Sequence, residues 1–457
     1  MLYKIGCHLL EEGDTLSYKV WSTPCRLVYE VVNLEIFTFS HNFLITIFCI
    51  GYLAIILEFI IRVNKTAVAL LLAVLCWLIY FVGDPQPLET SLAYLGTHLS
   101  DVSQILFFLL GAMTLVELID SHKGFNTFIH YLHTRSKRKM LWVICFISFF
   151  LSAVLDNLTT TILMISILRK LIPHRNERFL YSCMVIVAAN AGGAWTPIGD
   201  VTTTMLWIGG QITTTKVIGE IFFPSLVSLL FPLLVYTFCV KGKFPKSEID
   251  FRDEPLEPGA HLVFYCGIIL FLFVPFFKWL TGMPPFMGML ISLSIMWLIT
   301  DIMHHKHEQR KHLRVPFILT KIDVSSILFF LGILLSVNAL ESTGLLESAA
   351  MAMDKYLKNE AIIATIIGIV SAIIDNVPLV AATMGMYDMQ TVPVDSPLWL
   401  MIAYAAGTGG SILVMGSSAG VALMGLEKVD FFSYFKKISF PVFIGYILGM
   451  LFYVYLF

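Results

Sequence analysis

A chain of 457 residues that is 57% hydrophobic, only 14% charged and has a mean hydropathy of +0.81 carries too little polar surface to cover a water-soluble fold of its size. Its formal charge of −2 at pH 7 excludes the strongly basic balance of a nucleic-acid binder and points to no acidic-substrate trap. Apolar runs recur at the length of about 20 residues that carries a helix across a hydrocarbon core of roughly 30 Å, so the class is an all-α polytopic membrane protein whose first partner is the lipid bilayer.

Residues 1–42 are mixed in polarity, with Glu11, Glu12, Asp14, Glu30 and Glu35, and do not read as a secretory signal. They form an N-terminal segment without an assigned role. Apolar spans follow at 43–62, 66–83 and 101–119. The next, 139–170, is interrupted by Asp156 and Asn157; 178–208 is interrupted by glycines, and 217–240 closes the set. A second set runs over 262–280, 285–303, 322–340, 360–388, 398–425 and 436–457, with Asp375 and Asn376 inside the fourth. The two sets are copies. DVSQILFFL at 101–109 returns as DVSSILFFL at 323–331, SAVLDN at 152–157 as SAIIDN at 371–376, and Trp77 in CWLI as Trp297 in MWLI. Residues 43–252 therefore make a first membrane repeat and 253–457 a second.

Charge decides how the copies thread the bilayer. Basic residues gather at Arg62 and Lys65, Lys123 to Lys139, Arg169 to Arg178, Lys241 to Arg252, Lys306 to Lys321 and Lys428 to Lys437, whereas 84–100 and 388–397 contain none. By the positive-inside rule, the 139–170 segment enters and leaves on the cytoplasmic side, as a re-entrant hairpin. The segment around Asp375 is flanked by Lys355 and Lys358 on one side and by the Asp388 to Asp395 loop on the other, and approaches from outside. Each repeat then has an odd number of crossings plus one hairpin. The expected architecture is two inverted-topology repeats, each with a re-entrant helical hairpin and a discontinuous transmembrane helix, the plan of secondary transporters.

An ionisable residue inside an apolar segment is costly and marks a transport path by default. Asp156, Asn157 and Thr160 in the first hairpin, and Asp375 and Asn376 in the second, are candidates on that ground. The stretch AANAGGAWTPIGDVTTT (188–204) breaks a helix at Gly192, Gly193, Pro197 and Gly199 beside Asn190, Asp200, Thr202 and Thr203. Its counterpart has Gly409, Gly410, Gly416, Ser411, Ser417 and Ser418, with no acid matching Asp200. The glycines and serines fit close helix packing equally well. Carboxylate, amide, hydroxyl and carbonyl oxygens are ligands for a hard cation, and two carboxylates at the hairpin tips would repel an anion. The expected occupant is a cation, with protons competing for the same oxygens. Glu117 is a candidate proton relay, while Glu58, Asp120, Lys278 and Glu341 read as snorkelling or pairing near an interface. The eight cysteines show no CxxC spacing, and His304, His305 and His307 read as part of a solvated basic loop.

LSAVLDNLTTTI, AANAGGAWTPIGDVTTTMLW and SAIIDNVPLVAA resemble the motifs of the NhaD-type sodium/proton antiporters of the ion transporter superfamily, and the resemblance covers nearly everything from residue 43 onward. It implies exchange of Na+ or Li+ for H+ without a cofactor, a bacterial inner membrane or a related organellar one, and a homodimer. It also implies that Asp156, Asn157, Asn190, Asp200, Thr202, Thr203, Asp375 and Asn376 contribute to the ion path. The implied fold is similar to that of divalent anion/sodium symporters, whose hairpin tips carry Ser-Asn-Thr, so a dicarboxylate, citrate or arsenite-type oxyanion permease is the alternative. No Ser-His-Asp set, HExxH or phosphate loop supports an enzyme.

Overall fold

A computed structural model describes residues 42–83, 87–125, 134, 136–172, 174–244 and 257–457. The 1–42 segment up to residue 41, Arg135 in the basic cluster before 139, and the repeat boundary at 252 and 253 lie outside the described residues. Seven of the described helices are long and apolar enough to cross a membrane, the last of them when its span is taken over Phe431–Leu456, and several shorter apolar helices accompany them. In chain order they are α1 (Asn42–Ile56), α2 (Lys65–Gly83), α3 (Leu88–Ser121), α4 (Lys137–Ser152), α5 (Asn157–Leu171), α6 (Arg175–Ala194), α7 (Val201–Ile208), α8 (Thr214–Cys239), α9 (Ala260–Thr281), α10 (Pro285–His304), α11 (Val324–Glu341), α12 (Leu345–Leu357), α13 (Glu360–Ser371), α14 (Asn376–Met386), α15 (Pro397–Gly409), α16 (Ser418–Glu427) and α17 (Phe440–Leu456).

The interruptions fall where the sequence predicts them, and local chemistry explains each restart. The first four N–H groups of a helix lack intrahelical partners, and a side-chain oxygen just before the helix can accept one. Asp156 does this for α5, Asp200 for α7 and Ser417 for α16. Asp375 stands at the same N-terminal position of α14 without capping it. Within a bilayer such breaks are tolerated only where protein or a cavity receives the freed backbone groups.

Equivalent helices make equivalent contacts. α2 packs on α11 and α3 on α10; α4 packs on α6 and α13 on α15; the closing helices α8 and α17 pack on each other. Between the halves, α5 lies against α16, and α14 against α7. A Cβ on Gly192 of α6 would overlap the Phe149 carbonyl oxygen of α4, and one on Gly409 of α15 would overlap the Gly368 carbonyl oxygen of α13. Phe149 and Gly368 each stand three residues before the matching Ser152 and Ser371, so the same backbone-on-backbone approach occurs once in each half.

Three features differ from the sequence expectation. α3 begins at Leu88 rather than 101, because Pro87 stands just before its first turn, the single Gly96 is tolerated inside the helix, and hydropathy registers only its apolar end. α12 is amphipathic, with Leu346 and Ala350 buried and Glu347 and Asp354 exposed, and carries no membrane-span signal. His304 is not part of a solvated loop: it is buried, and its Nε2 lies 3.0 Å from Nε2 of the equally buried His122. Its place is the last residue of α10, ahead of the exposed turn of His305 and Lys306.

Candidate ion-binding site

The four restarts converge. A cavity of about 80 Å³ is lined by Asp156 and Asn157 from the first break, Asp375 and Asn376 from the second, Asp200 at the start of α7 and Ser418 at the start of α16. Phe108, Val116, Phe271 and Phe329 supply apolar walls, and Lys65 reaches in from the start of α2. This space holds a few waters, or an ion with part of its hydration shell.

Asp200 joins the halves. It is buried; its Oδ1 accepts the Thr202 amide at 3.2 Å, and its Oδ2 accepts from Asn157 Nδ2 at 3.3 Å and from Asn376 Nδ2 at 3.4 Å. One carboxylate oxygen thus holds the asparagines of both breaks. Asn157 Nδ2 also donates to Asn190 Oδ1 at 3.1 Å, and Asn190 Nδ2 donates to Ser417 Oγ at 2.9 Å. Asn157 Oδ1 accepts from Ser418 Oγ at 3.4 Å. Asp156 accepts the Thr159 amide at 2.8 Å and the Thr159 hydroxyl at 2.6 Å.

The candidates therefore separate into layers. Asp156, Asn157, Asp200, Asp375 and Asn376 face the cavity, Asn190 stands one hydrogen bond behind it and Ser417 two. Thr202 reaches the site through its amide, and Thr203 donates to the Ala194 carbonyl. Thr160 is buried with its hydroxyl unpartnered among the described residues, and its neighbour Thr159 takes the lining position. Ser411 donates back to the Thr408 carbonyl, and its own carbonyl accepts from Tyr434. Glu117 lines an adjoining cavity of about 280 Å³ with Asp120 and Lys321, and this space shares Met113, Val116, Leu158 and Thr159 with the central one.

Four helix N-termini of α5, α7, α14 and α16 aim at one space. Each carries roughly half a positive charge, which by itself suits an anion. Three lining carboxylates reverse the sign. At the far ends, cations meet the partial negative charge of the two half-helices: Lys278 Nζ donates to the Trp207 carbonyl of α7 at 2.6 Å, and Arg175 donates to the carbonyls of Glu427 and Lys428 after α16 at 3.0 and 2.7 Å. Lys278 is thus a helix cap rather than a snorkelling residue. Sequence reasoning missed Lys65 as a lining residue, since a lysine at a helix start registers there only as an orientation signal.

Broken helices that point carboxylates into a shared, partly apolar cavity define an integral membrane protein of the secondary-transporter class. A family model described as Citrate transporter matches residues 52–400. The chain is 50% identical to Sodium/proton antiporter 1 of Arabidopsis thaliana over 88% of its own length and 70% of that protein's, and 48% identical to Sodium/proton antiporter 2 of the same plant over 89% and 98%. It is 29% identical to Na(+)/H(+) antiporter NhaD of Alkalimonas amylolytica over 88% of each chain. The chain belongs to this citrate-transporter family, together with these sodium/proton antiporters.

Proposed function

We propose that the protein exchanges Na+ or Li+ for H+ across a membrane, with cation and proton competing for the carboxylates of the central cavity. The observation that carries this reading is the bridging of Asn157 and Asn376 by the buried Asp200 carboxylate, with Asp156 and Asp375 lining the same space. Cation binding needs carboxylates free of protons, and proton binding removes the charge that holds the cation. Only loaded forms then change access, and exchange follows. The names of the relatives support the same reading. Citrate transport, which the family description names, suits helix N-termini without acids; three carboxylates in so small a space disfavour an anion.

The matching contacts of the two halves support the repeat and the charge pattern supports its inversion, with the Asp156 break entered from the cytoplasmic side and the Asp375 break from the other. The membrane is a bacterial inner membrane or a related organellar one, and the higher identity to the plant relatives favours the second.

The test is proton movement in everted vesicles from cells lacking their own antiporters, read by a pH dye after energisation. NaCl or LiCl should dissipate the gradient while choline chloride does not. Vesicles loaded with succinate or arsenite should give no response. Asp156→Asn and Asp200→Asn should each abolish the sodium response while the protein remains in the membrane. Retained exchange in both variants removes the site assignment.

A further inference from the structure

Among the lining residues only Lys65 is a cation, and its partner is one of the site carboxylates. Lys65 Nζ stands 3.5 Å from Asp375 Oδ2 and 4.4 Å from the centre of the Phe329 ring, and both side chains are largely shielded, at 25% and 17% exposure. The backbone fixes the origin of the side chain. The Lys65 amide donates to Glu58 Oε1 at 3.1 Å, and Asn64 Oδ1 accepts the next amide at 2.8 Å, which starts α2 at this residue. Lys65 and Asp375 also line a smaller cavity of about 50 Å³ with Tyr52, Glu58 and Pro378. The pair therefore stands between two cavities, with Asp156 and Asp200 on one side and Tyr52 and Glu58 on the other.

We propose that Lys65 is a positioning residue of the exchange: its ammonium is a tethered counter-cation of Asp375, which the transported ion must displace to gain that carboxylate. The inference rests on the central cavity being the ion site. Its basis is charge and reach. Asp156, Asp200 and Asp375 together outweigh the partial positive charge of the helix N-termini, and one ammonium brings the lining close to neutral. A second cation is accommodated only if the first withdraws or a carboxylate gains company elsewhere. Lysine suits the task, since its ammonium is a point charge on a flexible stem that can swing without leaving the protein, and the Phe329 ring face offers it a neighbouring resting place. Lys65 thereby weakens sodium binding enough to allow release, and the Asp375 half of the site becomes available only when the ammonium moves.

The experiment measures the KM for Na+ and the maximal rate of sodium-driven proton movement in proteoliposomes for Lys65→Gln, Lys65→Arg, Asp375→Asn and Lys65→Gln/Asp375→Asn. Lys65→Gln should lower KM about tenfold, because a carboxylate at a few Å loses its internal partner, and it should lower the maximal rate because the ion leaves slowly. Lys65→Arg should keep KM near the parent value. Asp375→Asn introduced into Lys65→Gln should return KM towards the parent. Where glutamine prevents accumulation, Lys65→Met preserves the stem and gives the same comparison. An unchanged KM in Lys65→Gln, or an equal fall in KM with and without the Asp375 carboxylate, overturns the proposal. Loss of exchange in Asp200→Asn alongside either result leaves the ion site standing and removes Lys65 alone; exchange retained in both Asp200→Asn and Asp156→Asn removes the site reading itself.

Discussion

At the scale of single residues, the site shows how burial sorts polar groups by task. Asn190 is fully buried and touches the cavity only through Asn157, yet it spends both ends of its amide, accepting from Asn157 and donating to Ser417. Asn190→Ala should raise KM for Na+ roughly tenfold, since leaving a buried amide unpaired costs about 1–3 kcal/mol; proton-movement assays at graded NaCl check this, and an unchanged KM means that Asn157 holds its place unaided. Asp156, Asp200 and Asp375 are legible in sequence because a carboxylate in the middle of an apolar run has few other reasons to be there. Lys65 is not, because its position at a span boundary is the ordinary place for a lysine. His304 is misread for the opposite reason: its neighbours His305 and Lys306 lie in an exposed turn, and sequence adjacency says nothing about the helix end that carries it inward to His122.

At the scale of elements, the helix breaks are legible to within a few residues, since an Asp-Asn pair inside an apolar run marks two of them and a glycine cluster the other two. What a linear reading lacks is which ends meet. The N-termini of α5 and α14 come together only because α6 and α15 approach α4 and α13 closely enough to need glycine. Gly192→Ala and Gly409→Ala should each destabilise the protein by at least about 1–3 kcal/mol, the cost of overpacking, read as a lowered melting temperature in detergent; a variant that melts with the parent contradicts the close approach. The cap on α7 gives a second case. Lys278→Met removes a charged donor from the Trp207 carbonyl and should cost about 1.5–3 kcal/mol by the same measurement, with Lys278→Arg recovering part of it. α12 escapes sequence reading because it follows α11 after a single turn and mixes buried aliphatic residues with Glu347 and Asp354.

At the scale of the molecule, the duplication is readable from the sequence, while the opposite orientation of the halves rests on charge alone. It has a direct test. Asn176 and Gln390 are both exposed, one following the first hairpin and one following the second. In a background without the eight native cysteines, an impermeant thiol reagent applied to intact cells or organelles should label Gln390→Cys, and should label Asn176→Cys only after permeabilisation. Labelling of both from one side would falsify the inversion.

The length of α3 has a bearing on where such a protein can work. Its 34 residues extend about 51 Å against a hydrocarbon core of roughly 30 Å, and a tilt large enough to hide that excess exceeds the usual range of about 0–40°. The first third, with Glu89, Thr90, Thr97 and His98 among exposed Leu88, Leu92 and Tyr94, therefore belongs to the headgroup layer, where an aromatic ring is at home. A helix with such an overhang has no single depth that its ends enforce. When the surrounding lipids thicken, a further turn can be drawn into the acyl region; when they thin, it can be released, and the inner end that lines the cavity keeps its place among its neighbours.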